Sequence, residues 1–571
     1  MTERTKTAYF NLVDEMWLPV TLAESFPDAT KRGPLPRVSL RETFQHGDKI
    51  VDLRCYPHER IALMRLLICI AQRALNGPED EEDWKNCKKR LVSEAVAYLD
   101  QRKECFDLFG EGHRFLQAHG SGKPGEMAVF RLVLVDKEAS VLFNAHVQPR
   151  ATLEPADLAV ALVTFQSFAA GGKSGGSEPS PVGRKTKAGK IKDEPQSGEA
   201  ALCREGGALH SLICGTNLNE TIHWNLLCRS QIAPPVTWHK TAMPVWEYKK
   251  CNLQELPESD IKTSYLGRLV PLGRAVWLRE DWKSTEIANG LRYGVFSDSK
   301  DPKTKKIKPG TGIREPTASI QPDKRDPAQA RLVSASAGDG VPKAAWRELH
   351  SIVVLKRSAT RGGPVAVEHL QTMETQGTTL WCGALVGNQA KVGDVIESVF
   401  RLPFQFLEDA ESVLEDDPRK HPGPNQTYRQ GVGFADHWAG KLQWGVQVYH
   451  ESLKDSFKQN ADRGKKVKNQ AAIRYWTALE QKAERILLND VALNSGKYWN
   501  SGGDWIGKSS WGDEVRKAAH DAYDFACPHS TPRQLRAYAA GLAALRMEKR
   551  SKLAGDIETE ENDEPTEGDG S

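Results

Sequence analysis

No run of residues in this chain is long and apolar enough to cross a bilayer. The most apolar stretch, Ile61 to Leu75, is interrupted by Arg65, Gln72 and Arg73. A spanning helix needs roughly 20 apolar residues in succession. Met1 to Val20 carries Glu3, Arg4, Lys6, Asp14 and Glu15 in place of the apolar core of a signal peptide, so no membrane contact and a cytoplasmic location are expected. Cysteine pairing is also missing. The ten cysteines (Cys55, Cys69, Cys87, Cys105, Cys203, Cys214, Cys228, Cys251, Cys382 and Cys527) contain no C-x-x-C pair. That argues against a disulfide framework and a zinc knuckle. Cys69 and Cys228 lie in apolar runs and read as buried thiols. No H-E-x-x-H occurs and the histidines form no cluster; His58-Glu59 and His450-Glu451 read as surface pairs. No cofactor or metal is expected.

Net charge is small, at +3, but unevenly placed. Ser551 to Ser571 holds eight acidic residues and one lysine, a net of −7, which leaves +10 on the rest. A basic body with an acidic tail points to a polyanionic partner. What is present is otherwise ordinary. The chain has 571 residues, 39% hydrophobic and 27% charged, enough for two or more packed domains.

Along the chain, Phe10 to Val20 reads as an opening strand and turn stopped at Pro19. Helices are expected over Ile61 to Leu75, over Arg90 to Leu99 and over Pro155 to Phe168. Phe130 to Phe143 alternates like a strand pair. Gly171 to Ala200 reads as a flexible basic loop, and Ser299 to Gly312 as a second one. Further α/β pattern runs through Ser264 to Leu278, Ile352 to Leu355 and Leu380 to Leu402. The last part is helical. Phe434, Trp438, Leu442, Val446, Tyr449 and Leu453 form one apolar stripe, and Ile473, Trp476, Leu479, Ala483 and Ile486 a second. Val515, Ala518, Ala519, Ala522 and Phe525 form a third, and Leu535, Tyr538, Leu542 and Leu545 a fourth. Thr531-Pro532-Arg533-Gln534 has the form of a capping box with proline in the first turn. The expected class is α+β: a large mixed α/β N-terminal domain (1–415), a C-terminal four-helix bundle (416–553) and a disordered acidic tail (554–571).

Two enzyme patterns match by spacing. Gly502 to Ser509 fits G-x-x-x-x-G-K-[ST], and this NTP-binding reading is the rival function. A phosphate loop must leave a buried strand, however, and Leu493 to Asn500 does not read as one. Gly172 to Gly176 fits G-x-S-x-G, but a helix precedes it and a loop follows, the reverse of a nucleophile elbow. Basic and glycine-rich loops point instead to phosphate neutralisation and close backbone approach to a nucleic acid.

Several segments, in order, resemble one family. Asn11-Leu12-Val13-Asp14 through Trp17-Leu18-Pro19-Val20 is similar to an N-L-x-x-x-W-I-P-V signature with one extra residue. Helix Leu63 to Gln72 follows. Asp107-Leu108-Phe109 and Arg114-Phe115-Leu116-Gln117 match a D-x-F…F-x-Q segment. Leu218 to Leu227, Gly387-Asn388-Gln389-Ala390 and the closing helices complete the series. The pattern resembles the CasA family, the large subunits of type I-E CRISPR Cascade surveillance complexes. That resemblance implies a non-catalytic subunit that recognises the protospacer-adjacent motif of double-stranded DNA from the minor groove. It further implies a part in duplex opening and R-loop formation, and a docking surface for the helicase-nuclease. The implied partners are guide RNA, target DNA, that helicase-nuclease and the subunits CasB, CasC, CasD and CasE.

By the same resemblance, Gly171, Gly172, Lys173, Gly175 and Gly176 correspond to a glycine loop at the minor groove. Asn388, Gln389 and Ala390 correspond to a wedge, with Gln389 inserting beside the motif. Leu291-Arg292-Tyr293 and Phe296 resemble the stretch before a lysine finger, which falls at Lys300 if read without a gap. Lys303, Lys305, Lys306 and Lys308 remain open as the finger if the loop is shifted. Three features depart from the family: the basic insertion to about residue 200, the acidic tail, and Arg279 to Gly290, which lacks the cysteines that form a knuckle in some members.

Overall fold

The computed structural model describes residues 9–120, 125–134, 153–169, 184–185, 191–192, 207–232, 242–291, 293, 315–322, 327, 330–336, 343–355, 358, 360–371, 377–388, 391–408, 421–453, 461–500 and 504–547. It divides into two compact units, Met1–Tyr428 and Arg429–Ser571. The first is mixed α/β with small antiparallel sheets; the described part of the second is helical.

The first unit opens on a side-chain-closed turn. Asn11 Oδ1 accepts from the Val13 N–H (3.1 Å), and its Nδ2 donates to the Lys103 carbonyl (2.9 Å). Trp17, fully buried, donates its indole N–H to Leu12 O at 3.0 Å. The strand that follows is Leu18–Leu22, between Arg37–Val38 and Ile50–Leu53. Pro19 therefore lies inside the strand and does not stop it. The ladder to Ile50–Leu53 begins one residue later, at Val20↔Leu53, so the missing N–H falls just outside it, while Pro19 O accepts from Arg54 N.

The helix Pro57–Ala74 is the centre of this unit. Proline in its first turn costs nothing, because that N–H has no partner inside the helix. Its apolar run is buried nearly all round; of the polar residues that interrupt it, Arg65 and Gln72 are buried too and Arg73 is half-buried, each with partners. Gln72 donates to Leu227 O (2.7 Å) and accepts from Leu227 N (2.9 Å). The neighbouring helix runs Glu81–Gln101, longer than its apolar stripe implied, because Asp80 caps it and accepts from the Asp83 N–H. Asp107 to Gln117 acts as a clasp. Gln117 bonds Leu108 O (2.8 Å) and Leu278 N (2.9 Å), and Arg114 donates to Leu278 O at 2.7 Å.

The expected strand pair at Phe130 to Phe143 is not formed at its start. Val129–Leu132 is a 3-10 turn that buries Val129 and Leu132, three apart, after the strand Gly125–Ala128. Residues 135–143 lie outside the described residues. Pro155–Phe168 is a helix over the expected span. Tyr265–Leu269 is a short helix before the strand Arg274–Leu278, which pairs with Ser284–Asn289. The connecting turn is closed by Asp281, which accepts from Lys283 N (2.9 Å) and Ser284 N (3.1 Å).

In the second unit the chain continues the helix Pro424–Ser452 and forms Ala461–Lys482, a π-helical segment Ala483–Ala492, Ser495–Trp499, Ser510–Ala526 and Pro532–Arg546. Thr531 and Gln534 make the expected capping box. Pro424–Ser452 and Pro532–Arg546 touch at two glycines: a Cβ on Gly541 would lie 2.6 Å from Gly445 O. Three of the stripe residues are exposed. Ile473, Phe525 and Leu535 are 53%, 57% and 55% exposed.

His58 and His450 are buried, not surface residues. Burial pushes the His58 imidazole down to about 4, and His369 likewise. Both are neutral in the fold near neutral pH. Between pH 6.5 and 4 the unfolded chain takes up protons that the folded chain refuses, so stability is complete above about 6.5 and falls as pH drops toward 4. The expected slope is about 1.4 kcal/mol per pH unit for each histidine. Thermal unfolding measured across this window should show it, with a shallower slope in a His58→Asn, His369→Asn variant. An identical slope in that variant would contradict the assignment.

Candidate nucleic-acid interface

Of the residues that the sequence nominates, Gly171, Gly172, Lys173, Gly175, Gly176, Lys300, Lys303, Lys305, Lys306, Lys308, Gln389 and Ala390 lie outside the described residues. Asn388 is the last residue of the strand Gly377–Asn388, paired with Lys391 at the start of Lys391–Pro403. Gln389 and Ala390 connect these paired ends. The described residues contain the feet on which all three loops stand.

Those feet meet at one strand, His210–Cys214. It is the third strand of the hairpin sheet, pairing from His210↔Gly383 to Cys214↔Thr379. The segment before the glycine loop ends at Phe168, whose ring meets that of His210 edge-on at 6.2 Å. The return of that segment is fixed at Gly207, which has φ +68. A Cβ there would lie 2.5 Å from Leu385 O, so this position requires glycine on both conformational and steric grounds. Pairing runs on as Leu209 N–H to Val333 O at 3.0 Å.

The foot of the lysine loop lies against the same strand. Ser211 donates its N–H to Thr317 O at 2.8 Å, and His210 bridges Ala318. Just before Thr317, Glu315 is buried between Arg65 (3.1 Å) and Arg268 (3.0 Å from Nε). Arg65 also donates to Thr317 Oγ1 (3.0 Å) and Leu269 O (2.9 Å). All three side chains of this cluster are at most 2% exposed. Burial pulls the Arg65 guanidinium below its ordinary range, and Glu315 opposes that pull. Burial and the Arg65 charge together hold His210 well below the usual histidine range, so it is neutral; its Nδ1 shares a hydrogen bond with Thr317 Oγ1 at 2.8 Å. On the other side of the loop, Tyr293 accepts from Leu272 N at 2.9 Å.

The hairpin that ends at Gln389 and Ala390 is long and asymmetric. Twelve residues pair against thirteen, and the register slips between Val386↔Asp394 and Gly387↔Val392. Gly393 is therefore the extra residue of a bulge close to the tip. A bulge bends the strand and increases its twist, which re-aims whatever lies beyond it. Nearer the base, the Trp381 N–H donates to Glu397 (2.6 Å) and the Arg60 guanidinium lies 4.9 Å over the Trp381 ring. Gly207, the Gly393 bulge and the Arg65–Glu315–Arg268 cluster were not nominated from the sequence. The signal that could have found the cluster is an arginine within an apolar helix.

The Gly502 to Ser509 pattern does not have the geometry of a phosphate loop in its described part, 504–509. A helix, Ser495–Trp499, precedes it where a strand is required. Ser509 is fully buried, donates to Ile506 O (2.6 Å) and caps the helix Ser510–Ala526 by accepting from Gly512 N at 3.2 Å. Its hydroxyl is committed to the fold and does not face a ligand. Among the described residues no group of three His, Cys, Asp or Glu side chains is placed to hold a metal, and no helix is long and apolar enough to cross a membrane.

The model of the family described as CRISPR-associated protein Cse1 matches residues 11–522. The CRISPR-associated protein CasA/Cse1 of Thermus thermophilus is 27% identical over 432 residues, 71% of this chain and 74% of its own. The crystal structure of Thermus thermophilus CasA has the same fold, with a TM-score of 0.63 and 20% identity, covering 94% of this chain and 98% of that one. Cse1 from Acidimicrobium ferrooxidans follows with a TM-score of 0.59 and 20% identity, covering 95% and 98%. A chain of a CRISPR RNA-guided surveillance complex has a TM-score of 0.59 and 16% identity, covering 94% and 99%.

Proposed function

Since the chain belongs to the Cse1 family of CRISPR-associated proteins, we propose that it is the non-catalytic large subunit of a type I-E Cascade surveillance complex. In this reading it recognises the protospacer-adjacent motif in double-stranded DNA from the minor groove and promotes duplex opening. Guide RNA, CasB, CasC, CasD and CasE are its partners in the complex. The helicase-nuclease is recruited to it once the R-loop has formed. The helical stripes of residues 416–553 then belong to a four-helix bundle.

One observation carries the reading: a single strand, His210–Cys214, holds the feet of the glycine loop and lysine loop and pairs with the wedge hairpin. Three loops on one rigid support can act on one short stretch of duplex. The glycine loop brings backbone N–H groups to a groove floor where a Cβ would clash. Lys300, or a neighbour up to Lys308, reaches phosphate or base edge. Gln389 at the end of the bulged hairpin replaces lost stacking as the strands part. The minor groove distinguishes base pairs poorly, so tolerance of several related motifs is expected. Sequence beyond the motif is read by RNA–DNA pairing.

The test is duplex binding by the reconstituted guide-RNA complex, with and without this chain, over a randomised flanking motif. Motif-dependent binding that vanishes without the chain is the expected result. Binding indifferent to both the motif and the chain would reduce it to a scaffold.

A further inference from the structure

The second unit carries a groove that its own core does not need. It has a volume of about 510 Å³ and runs between the helices Ala461–Lys482 and Ser510–Ala526. Its floor includes Ala478 and Ala518, and Ile473 and Phe525 stand on its walls. These two are more than half exposed, at 53% and 57%, although a large aliphatic and an aromatic side chain at helical core spacing would ordinarily be covered. One lining residue, Arg474, is cationic, and two lysines lie along the same two helices outside the lining. Arg474 stacks its guanidinium 4.6 Å over the Phe525 ring. Lys466 lies two turns earlier on the same helix, and Lys517 precedes Ala518 on the facing one; both are exposed. Asp521 is the one carboxylate among the lining residues.

We propose that this groove is the docking site of the chain's own acidic C-terminal segment, residues 548–571. Chemistry and reach both favour that occupant. Residues 551–571 carry a net −7, opposite in sign to Arg474 and to the nearby Lys466 and Lys517. The segment has two large aliphatic side chains, Leu553 and Ile557, four residues apart and directly ahead of most of its carboxylates. That order matches an apolar floor beside Lys466, Arg474 and Lys517. The last described helix ends at Arg546, whose charge acts on His520, next to Asp521 of the groove wall. Leu553 follows Met547 by six residues, a span of up to about 20 Å when extended. A helix is about 10–12 Å across, so the segment can pass round Ser510–Ala526 and enter the groove from the far side. The docked segment competes with external polyanions for the same three cations. This inference is independent of the DNA-recognition reading, since no loop of the first unit enters it.

The experiment uses the full chain with a photo-crosslinking benzoylphenylalanine in place of Ile557. Irradiation should join this position, within the same molecule, to peptides from 470–481 and 518–525. Ile473→Asp together with Phe525→Asp should abolish that product, since both side chains are exposed and the helices fold without them. Tryptic cleavage after Lys552 in the otherwise unaltered chain should rise about tenfold in the same double variant, as one docked aliphatic side chain is released. Crosslinks to other parts of the chain, crosslinks that double the mass, or crosslinking and cleavage unchanged in the double variant would each overturn the proposal.

Discussion

Glu315→Ala should destabilise the first unit by about 3–5 kcal/mol, because it leaves two guanidinium groups buried without their anion. Arg65 and Arg268 are 0% and 2% exposed, so water cannot replace the lost carboxylate. Arg65 keeps its bonds to Leu269 O and Thr317 Oγ1, but neutral oxygens do not neutralise its charge. The denaturation midpoint in urea reads the loss. Lys31→Ala serves as the reference: its pair with Asp28 is 78% and 64% exposed, and an exposed pair is worth less than about 1 kcal/mol. A Glu315→Ala midpoint as close to the parent as that of Lys31→Ala would show that the cluster does not brace the unit.

The second large effect concerns salt. Replacing Lys300, Lys303, Lys305, Lys306 and Lys308 together by glutamine should weaken duplex binding by the assembled complex and flatten its salt dependence. Each phosphate contact contributes about 0.9 to the slope of log affinity against log salt, so loss of all five would reduce that slope by about 4.5. Binding isotherms between 50 and 200 mM salt, roughly the range over which such contacts dominate, measure it. An unchanged slope would mean that this loop does not touch the DNA backbone. A uniform loss across flanking motifs would mark the lysines as phosphate contacts, and a loss confined to preferred motifs would mark one as a reader of base edges.

Much of the helical structure was legible because its signals are local. Pro155–Phe168 starts at a proline and stays apolar to its end, and Thr531 with Gln534 announces the last helix within four residues. Ser509 likewise reads as a helix cap. Signals that depend on distant partners were not legible. Arg65 looks like an interruption of an apolar run, and only the fold brings Glu315 to it from 250 residues away. Pro19 looks like a strand stop, and only the register of Ile50–Leu53 shows that its missing N–H costs nothing. Periodicity gives a helix face without saying what covers it, which is why the stripes of Ile473 and Phe525 do not foretell that these two are exposed. At the candidate interface, the glycines, lysines and Gln389 were found by resemblance. The strand that gathers their feet, His210–Cys214, carries no motif of its own, and only its pairing partners reveal its place.

The turn between Arg274–Leu278 and Ser284–Asn289 has a wider consequence. Slight burial favours the protonated form of the Asp281 carboxyl, but the N–H groups of Lys283 and Ser284 outweigh it and hold the group below the usual carboxylate range. This corner is fastened by hydrogen bonds to a carboxylate, and residues 279–290 contain no cysteine, so neither chelation nor thiol oxidation can unfasten it. The strands on either side of the turn therefore keep their pairing under oxidising or metal-poor conditions. Acid, or the removal of the Asp281 carboxylate, would loosen it.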